Sequence, residues 1–264
     1  VTGELDVFQL LHGRDAEAKQ RGVMIMPGVG FVIVPSDCLA AHVARRLPGA
    51  RTLRIGISRT KSISEGSAKT LIELIRDHVR IRRSGRLTAV PVGTLERSFD
   101  YGSGASVSTA VSWPGVFTAY LTTGIPNIEV YVEASSLERG LYQLGGMFAW
   151  ALRTESWQSL LKSQTSWWAS SGGPENLADG RRVFVAEAED GYRRTVRSRL
   201  HTPDGYEFTA ATALSIVERI LAGHVEPGFR TPGGLYGPDL LSSLDGVQLE
   251  DEPLGGRTHA AQGA

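Results

Sequence analysis

The stretch from Pro27 to Ala41, PGVGFVIVPSDCLAA, brings two glycines, a serine and an aspartate together at a junction between two elements. An apolar run bends at Gly28 and Gly30, and Ser36 and Asp37 then open a helix. Glycines at a strand end let a ligand approach the backbone, and a helix N-terminus offers free N–H groups to an anion. Since α/β proteins bind ligands at the carboxyl ends of their strands, this stretch predicts a ligand-facing junction.

Each of these residues also has a purely structural interpretation. Gly28 and Gly30 would suit a simple turn that needs a positive φ. Ser36 and Asp37 would suit N-capping of the helix, which contributes roughly 0.5–2 kcal/mol. The residue types alone leave both interpretations open.

Proton donors come from two tyrosines. Tyr101 and Tyr120 could each protonate a developing oxyanion or enolate, and Asn127 could hydrogen-bond a substrate carbonyl. The alternatives are an amphipathic position at the core edge for the tyrosines and a turn cap for Asn127. Arg59 and Lys61 follow a strand end and could hold a phosphate or carboxylate, or lie in an exposed loop.

Other chemistries find little support in the sequence. The histidines lack metal-ligand spacing and Cys38 is the single cysteine, so no metal site and no disulfide are expected. No GxSxG motif is present to indicate a hydrolase. Lysine plus arginine, 28, equal aspartate plus glutamate, 28, so no net charge favours nucleic acid. The arginine clusters at 80–83 and 193–194 indicate solvated faces of strands.

The same composition bears on location. No apolar run reaches the roughly 18 residues that a membrane-spanning helix needs, so no integral membrane segment is expected. A single cysteine fits a reducing compartment, and a cytoplasmic protein is the expectation.

Three elements are predicted to position the junction. They are a helix over Leu5–Gln20, a buried parallel strand over Val23–Met26 and a helix over Ser36–Leu47 that Pro48 and Gly49 end. Residues 1–48 would thus form the last part of a parallel, doubly wound domain. Because the chain begins at Val1 and no glycine-rich phosphate loop precedes Pro27, the front of that domain is expected to be missing.

A mixed α+β domain is predicted for residues 49–250, followed by a loose tail at 251–264. Helices are predicted at 64–78, 137–153, 155–168 and 208–222, and strands at 52–58, 86–92, 96–101, 127–134, 182–189 and 193–202. The last two strands would form a hairpin around Asp190 and Gly191. The helix at 208–222 is expected to pack back on the first domain.

A group of aromatic residues lies on the two predicted helices at 137–168. It consists of Phe148, Trp150, Trp157, Trp167 and Trp168. It is typical of a core or of a homodimer face, and the wall of an acyl-chain pocket is the alternative. A parallel sheet that lacks its first strands would also leave apolar surface exposed, which predicts an oligomeric or aggregation-prone chain.

Six segments resemble, in the same order, the saccharopine dehydrogenase-like oxidoreductases, and most of all the trans-acting enoyl reductases. They are VTGE at 1–4, PGVGFVIVPSDCLA at 27–40, SEGSAKT at 64–70, TAYLTTGIPNIEVY at 118–131, TPDGYEFTAATAL at 202–214 and PGFRTPGGLYGPDLL at 227–241. Each segment alone is a weak signal, whereas six in register over residues 1–247 are specific.

The resemblance implies an NADP-dependent oxidoreductase that reduces an acyl or lipid-like enoyl substrate by hydride transfer. The fold class would be α/β, with the C-terminal part of a Rossmann-type domain followed by a mixed α+β substrate domain. Residues implied to contact the cofactor are Thr2, Gly3, Glu4, Gly28, Gly30, Phe31, Ser36 and Asp37, and the catalytic candidates are Tyr120, Asn127 and Tyr101. Glu4 has the alternative role of favouring the dipole of the helix that follows it.

Two positions depart from the family pattern. Val32 and Gly115 stand where the family has aspartates, in the motifs GFD-V-V-P and W-G-D-V. The loss of two carboxylates predicts an altered substrate or lost catalysis. A non-catalytic relative that acts as a binding or scaffold protein is therefore the alternative function.

Overall fold

The computed structural model describes residues 3–59, 78–136, 138–140 and 180–253. Several predictions lie wholly or almost wholly outside these ranges. They concern Thr2, Lys61, the helices at 64–78, 137–153 and 155–168, the aromatic group on the last two, the loop at 170–180 and the residues after 253.

The described residues alternate between helices and strands along the chain. The helices are α1 (Leu5–His12), α2 (Asp15–Gln20), α3 (Val34–Arg46), α4 (Gly115–Thr123), α5 (Gly205–Leu221), α6 (Pro232–Leu235) and α7 (Asp239–Ser242). The strands are β1 (Met24–Ile25), β2 (Ala50–Ile57), β3 (Val79–Arg83), β4 (Arg86–Val90), β5 (Glu96–Asp100), β6 (Ala105–Ala110), β7 (Asn127–Glu133), β8 (Arg182–Asp190), β9 (Thr195–Thr202), β10 (Gly228–Phe229) and β11 (Gln248–Asp251).

Nine of the described strands form one mixed sheet, in which seven follow the order β11-β9-β8-β2-β7-β3-β4 and β5 and β6 lie off this path. On the side of β7 away from β2, β3 pairs near its start and β6 of the β5–β6 hairpin pairs near its end. Within this sheet the pairs are antiparallel except β2 with β7, which run parallel at the centre. The carboxyl ends of β2 and β7 therefore meet at one edge of the sheet.

Alternation along each central strand divides the sheet into two faces. Leu53, Ile55 and Ile57 of β2 point into the larger hydrophobic core, beneath α3 and α4. Gly56 points to the other face, where Phe99 and Tyr101 of the β5–β6 hairpin cover it. A Cβ on Gly56 would lie 2.7 Å from the Phe99 ring, so glycine permits this close cover.

A second, two-stranded sheet pairs β1 with β10 in parallel. The α1–α2 segment packs against it, and Asp15 accepts a hydrogen bond from the Phe229 N–H at 2.8 Å. The predicted single helix over residues 5–20 is wrong, because the helix breaks between His12 and Asp15. Gly13, which has a low helix propensity, lies at this break.

The fold is mixed α/β, as predicted. The predicted strands at 52–58, 86–92, 96–101, 127–134, 182–189 and 193–202 are all present within a few residues, and so are the hairpin and the helix at 208–222. The arginine cluster at 80–83 was placed on a strand and lies in β3, whereas β6, α4, β10, α6, α7 and β11 were not predicted from the sequence.

The arginine clusters correct one expectation. Arg82 was expected on a solvated face, but it is only 5% exposed. Arg193 and Arg194 are exposed as expected, although they lie in the turn between β8 and β9 rather than in a strand.

Candidate functional site

Helix α5 packs against the junction between β1 and α3. The Thr212 hydroxyl lies 2.8 Å from the Val29 carbonyl oxygen, and the Phe31 N–H donates to the Thr209 hydroxyl at 3.1 Å. The Phe31 ring contacts the rings of Phe184 and Phe208 edge-on, with centroids 5.4 and 6.0 Å away. The residues predicted to face a cofactor here are therefore also held by neighbouring side chains.

Both glycines of the junction are buried. A Cβ on Gly28 would lie 2.9 Å from the Ile33 side chain, so the space beside this glycine is used by the chain's own isoleucine. The Gly30 carbonyl accepts hydrogen bonds from the N–H groups of Ile33 and Val34 at 3.1 and 3.0 Å. Both glycines thus help to begin α3.

Ser36 and Asp37 lie inside the first turn of α3 rather than at its cap. The helix begins at Val34 with Ile33 at the N-cap position, so the predicted capping role is wrong. Pro35 suits this early position because its missing N–H would have no helical partner. Ser36 is fully buried and donates to the Ile33 carbonyl at 3.1 Å.

Asp37 is fully buried and joins three helices. Its Oδ1 accepts from the Thr122 hydroxyl of α4 at 2.8 Å, and its Oδ2 accepts from the Gly233 N–H of α6 at 2.7 Å. The Thr122 and Thr231 hydroxyls lie 2.6 Å apart and extend the network. Burial raises the pKa of Asp37, and these hydrogen bonds oppose the rise only in part. In the described structure the Asp37 carboxylate therefore links buried helices rather than facing a ligand.

Gly3 and Glu4 are exposed at the start of α1, where Glu4 occupies the N-cap position. A Cβ on Gly3 would lie 3.1 Å from a methyl group of Val32. The Val32 carbonyl accepts from the indole N–H of Trp113 at 2.9 Å. Gly3 and the atypical Val32 are thus neighbours beside the β1–α3 junction. Val32 itself packs partly buried against the larger core.

Tyr120 and Asn127 both contact the turn between β3 and β4. The Tyr120 hydroxyl would lie 3.3 Å from a Cβ on Gly85, and the Asn127 Oδ1 accepts from the Ser84 N–H at 2.9 Å. The Asn127 Nδ2 donates to the Arg51 carbonyl at 2.8 Å. The structure brings these two catalytic candidates to the same turn.

Arg82 lies beneath Tyr120 as a buried cation. Its guanidinium carbon is 4.0 Å from the centre of the Tyr120 ring. Its Nε donates to the Val116 carbonyl at 2.9 Å, and its Nη1 donates to the Gly85 carbonyl at 2.6 Å. Burial lowers the pKa of Arg82. The cation therefore orients the Tyr120 ring, which the sequence analysis did not foresee.

Tyr101 lies on the other face of the sheet. It is 7% exposed, and its hydroxyl lies 2.8 Å from that of Ser108. Burial raises the pKa of Tyr101, because a phenolate would be poorly solvated there. Since Tyr120 packs against the core of the opposite face, the sheet separates the two tyrosines.

The register of the sheet also separates Asn127 from the β1–α3 junction. Asn127 pairs with Thr52 at the start of β2, whereas Phe31 contacts Phe184, which pairs with Ile57 at its end. Five residues of strand correspond to about 17 Å. The predicted catalytic residue Asn127 and the predicted cofactor-binding residue Phe31 thus lie near different ends of the parallel pair.

A polar cluster that the sequence analysis largely missed lies at the carboxyl end of this pair. The Arg182 guanidinium donates to the Ser58 carbonyl at 2.8 Å, and burial lowers its pKa to about 10. Arg59 donates its backbone N–H to Glu133 at 2.9 Å and pairs with Glu138 at 3.3 Å. Among the described residues no carboxylate lies within 4.0 Å of the Arg182 guanidinium, although the charge of nearby Asp204 favours its charged form. An additional carboxylate or phosphate could therefore bind at this edge. The signal in the sequence was the position of Arg59 directly after a strand.

Neither a metal-binding cluster nor a membrane-spanning helix occurs among the described residues. They contain no group of histidine, cysteine, aspartate or glutamate side chains that could hold a metal ion. None of their helices is both long and apolar enough to cross a membrane.

The fold is similar to that of a solved enzyme. The structure of apo saccharopine dehydrogenase (L-Glu forming) from Saccharomyces cerevisiae aligns with a TM-score of 0.54 and 12% sequence identity, over 91% of this chain and 76% of that chain. Neither a protein-family model nor a curated protein matches the sequence. At this identity the similarity concerns the fold, so the chain has a saccharopine dehydrogenase-like fold.

Proposed function

We propose that this chain acts as an NAD(P)-dependent oxidoreductase of the saccharopine dehydrogenase-like type, with an acyl or enoyl lipid-like substrate and NADP as the cofactor. The observation that carries the proposal is the fold, in which a parallel strand enters α3 through the glycine-containing stretch at 27–33. Such strand ends are where α/β folds bind dinucleotides.

The described residues fit only the nicotinamide side of such a cofactor. The sequence contains no GxGxxG turn for a pyrophosphate. Gly3 and Glu4 are exposed, and Gly3 lies against the side chain of Val32, which directly follows the stretch at 28–31. The reduced nicotinamide would supply the hydride when bound, and these residues would position its ring.

The substrate would lie at the carboxyl end of β2 and β7, next to Phe31. There Arg182 would hold an anionic group of the substrate, because a partly buried cation binds an anion strongly. One such group is a phosphate on the carrier to which the acyl chain is joined as a thioester. Tyr120, Asn127 and Tyr101 stay predicted catalytic residues. Their positions, about 17 Å away along the strand or on the opposite face, favour roles in the fold.

The test titrates the full chain with NADPH by fluorescence and follows NADPH oxidation with a 2-enoyl-CoA thioester. We expect binding below millimolar NADPH and turnover that depends on the thioester. Arg182→Gln should raise the KM for the thioester about tenfold with little change in kcat. The neighbouring exposed Arg181→Gln is the matched control and should leave KM unchanged. Absence of NADPH binding at millimolar concentration would contradict the proposal.

A non-catalytic binding or scaffold protein is the second candidate. It is favoured by Val32, which packs against the core, and by Gly115, where a Cβ would lie 3.0 Å from the Trp113 ring. The Trp113 ring therefore leaves little room for an aspartate side chain at position 115. Turnover gained by Val32→Asp and Gly115→Asp in the full chain would identify a decayed enzyme. An inactive wild type whose double variant stays inactive would support the second candidate.

A further inference from the structure

The edge strand β11 and its neighbour β9 carry opposite charges on one face of the sheet. In their antiparallel register Glu250 lies opposite Arg199. One residue beyond β11, the Glu252 carboxylate lies 3.0 Å from Arg197 and 2.8 Å from Arg199. Glu250 also lies 3.6 Å from His201. Opposite charges at facing positions favour this pairing.

On the other face, the Asp251 carboxylate is held by three donors from two elements. Its Oδ1 lies 2.8 Å from the His42 Nε2 and 3.1 Å from the Arg46 guanidinium, both on α3. It also accepts from the Ser198 hydroxyl of β9 at 2.7 Å. Burial alone would raise the pKa of Asp251, but the hydrogen bonds from Ser198 and His42 and the charge of Arg46 lower it. A carboxylate-binding site is therefore built into α3 and β9, and Asp251 fills it.

Arg46 extends this site along the backbone of the strand. Its Nη2 donates to the Glu252 carbonyl at 2.6 Å, and its Nη1 donates to the Arg197 carbonyl at 2.6 Å. The Glu252 N–H in turn donates to the Arg197 carbonyl at 3.0 Å. Arg46 thus binds both the backbone of an extended strand and a carboxylate at one defined position of that strand.

The strand that fills this site has the properties of a displaceable segment. All four residues of β11 are exposed, and the Asp251 and Glu250 side chains are 45% and 55% exposed, so solvent weakens their ion pairs. Gly246, with φ of 72°, precedes the strand as a turn. A cavity of about 650 Å³ lies beside it, lined in part by His42, Arg45 and Asp239, so there is space next to the strand. Such edges open locally at low free energy.

We propose that the edge of β9 that β11 covers, together with His42 and Arg46, is a docking site for an extended acidic segment of a partner protein, and that residues 248–252 occupy it in cis. The segment at 248–252 shows which groups the site binds, because it has three consecutive carboxylates, at 250–252, in an extended conformation. A partner strand with the same pattern would pair with the β9 backbone, as in strand addition to other sheets.

The test uses the full chain and a fluorescent peptide with the sequence of residues 247–253. Asp251→Asn removes one charge of the resident strand and leaves His42 and Arg46 in place. We expect hydrogen exchange in residues 248–252 to accelerate about tenfold and the peptide to bind at least about tenfold more tightly than to wild type. Asp245→Asn, on an exposed residue before the strand, is the matched control and should resemble wild type.

Three further measurements show whether the carboxylates of the strand are what this site recognises. A peptide whose carboxylates are replaced by amides should not bind, and the double variant Asp251→Asn/Arg46→Met should lose binding of the acidic peptide. Glu252→Gln provides a second way to weaken the resident strand. Unchanged exchange in both weakened variants would overturn the proposal, and so would faster exchange without binding at millimolar peptide. A dimer of Asp251→Asn in light scattering would make a second copy the occupant and would also overturn it.

Discussion

At the scale of single residues, Asp37 was predicted to contact a cofactor, but its buried carboxylate instead hydrogen-bonds other parts of the protein interior. It accepts hydrogen bonds from Thr122 and Gly233 and has no exposed surface. A buried carboxylate is tolerated only when its oxygens are paired. The residue type and its place near a helix start were evident from the sequence. The donors, some 85 and 196 positions away, were not.

Substitution of Asp37 tests this role. Asp37→Leu should lower the free energy of unfolding by about 3 kcal/mol, because the Gly233 N–H and the threonine hydroxyls lose their acceptor. Asp37→Asn should change it by less than about 1 kcal/mol, since the amide oxygen can accept from Gly233 and its NH2 group can donate to Thr122. Urea unfolding at neutral pH measures both values. Equal losses would show that the charge itself is needed.

The same residue predicts a pH dependence. Burial raises the pKa of Asp37 above 3.8, so the folded state favours the protonated carboxyl. The stability that this group contributes is complete below its unfolded pKa and is lost as the pH rises through the higher folded pKa. Relative to Asp37→Asn, the wild type should therefore become less stable as the pH rises above about 4, the pKa of an unfolded aspartate. Urea unfolding of both proteins across this range is the measurement, and a slope of opposite sign would contradict it.

At the scale of elements, α5 and the β1–α3 junction form one unit. The Thr212 hydroxyl is buried and lies 2.8 Å from the Val29 carbonyl oxygen and 2.9 Å from that of Phe208. Thr212→Val removes this donor while keeping the shape, so it should lower the free energy of unfolding by about 1–2 kcal/mol.

The matched variant Thr212→Ser keeps the hydroxyl and should lose less stability than Thr212→Val. Chemical denaturation of the three proteins measures the difference. A loss from serine that equals or exceeds the loss from valine would assign the effect to packing of the methyl group instead.

The elements that the sequence analysis missed have identifiable causes. α4, GVFTAYLTT, contains β-branched and aromatic residues that are neutral or unfavourable for helix formation, and it is stabilised by packing on α3. α6 and α7 are single turns, and β10 has two residues, so none has a period long enough to detect. β11 is exposed on all four residues, and its charges suit a tail as well as a strand.

At the scale of the whole molecule, α5 presents an unburied apolar stripe. Leu214, Val217 and Leu221 recur at helical spacing and are 60%, 49% and 82% exposed. Surface of this kind promotes association.

We expect the chain to self-associate at tens of micromolar in light scattering, and Leu214→Glu with Leu221→Lys to reduce the apparent mass. Tyr192→Glu, which removes an aromatic residue that is 86% exposed in the turn between β8 and β9, is the control and should have no such effect. A monodisperse wild-type monomer with a cooperative thermal transition would contradict this prediction.

The sequence by itself determined the class of fold and most of the strands, because hydrophobic alternation and turn residues act over a few positions. It also marked the β1–α3 junction and Arg59 as places of interest. Only the tertiary structure decided which of these side chains meet. The parallel register of β2 and β7 puts Asn127 and Phe31 near opposite ends of these strands. Tyr101 next to the β5–β6 hairpin and Tyr120 on α4 belong to cores on opposite faces of the sheet. These relations depend on contacts between residues far apart in the chain, which local patterns do not encode.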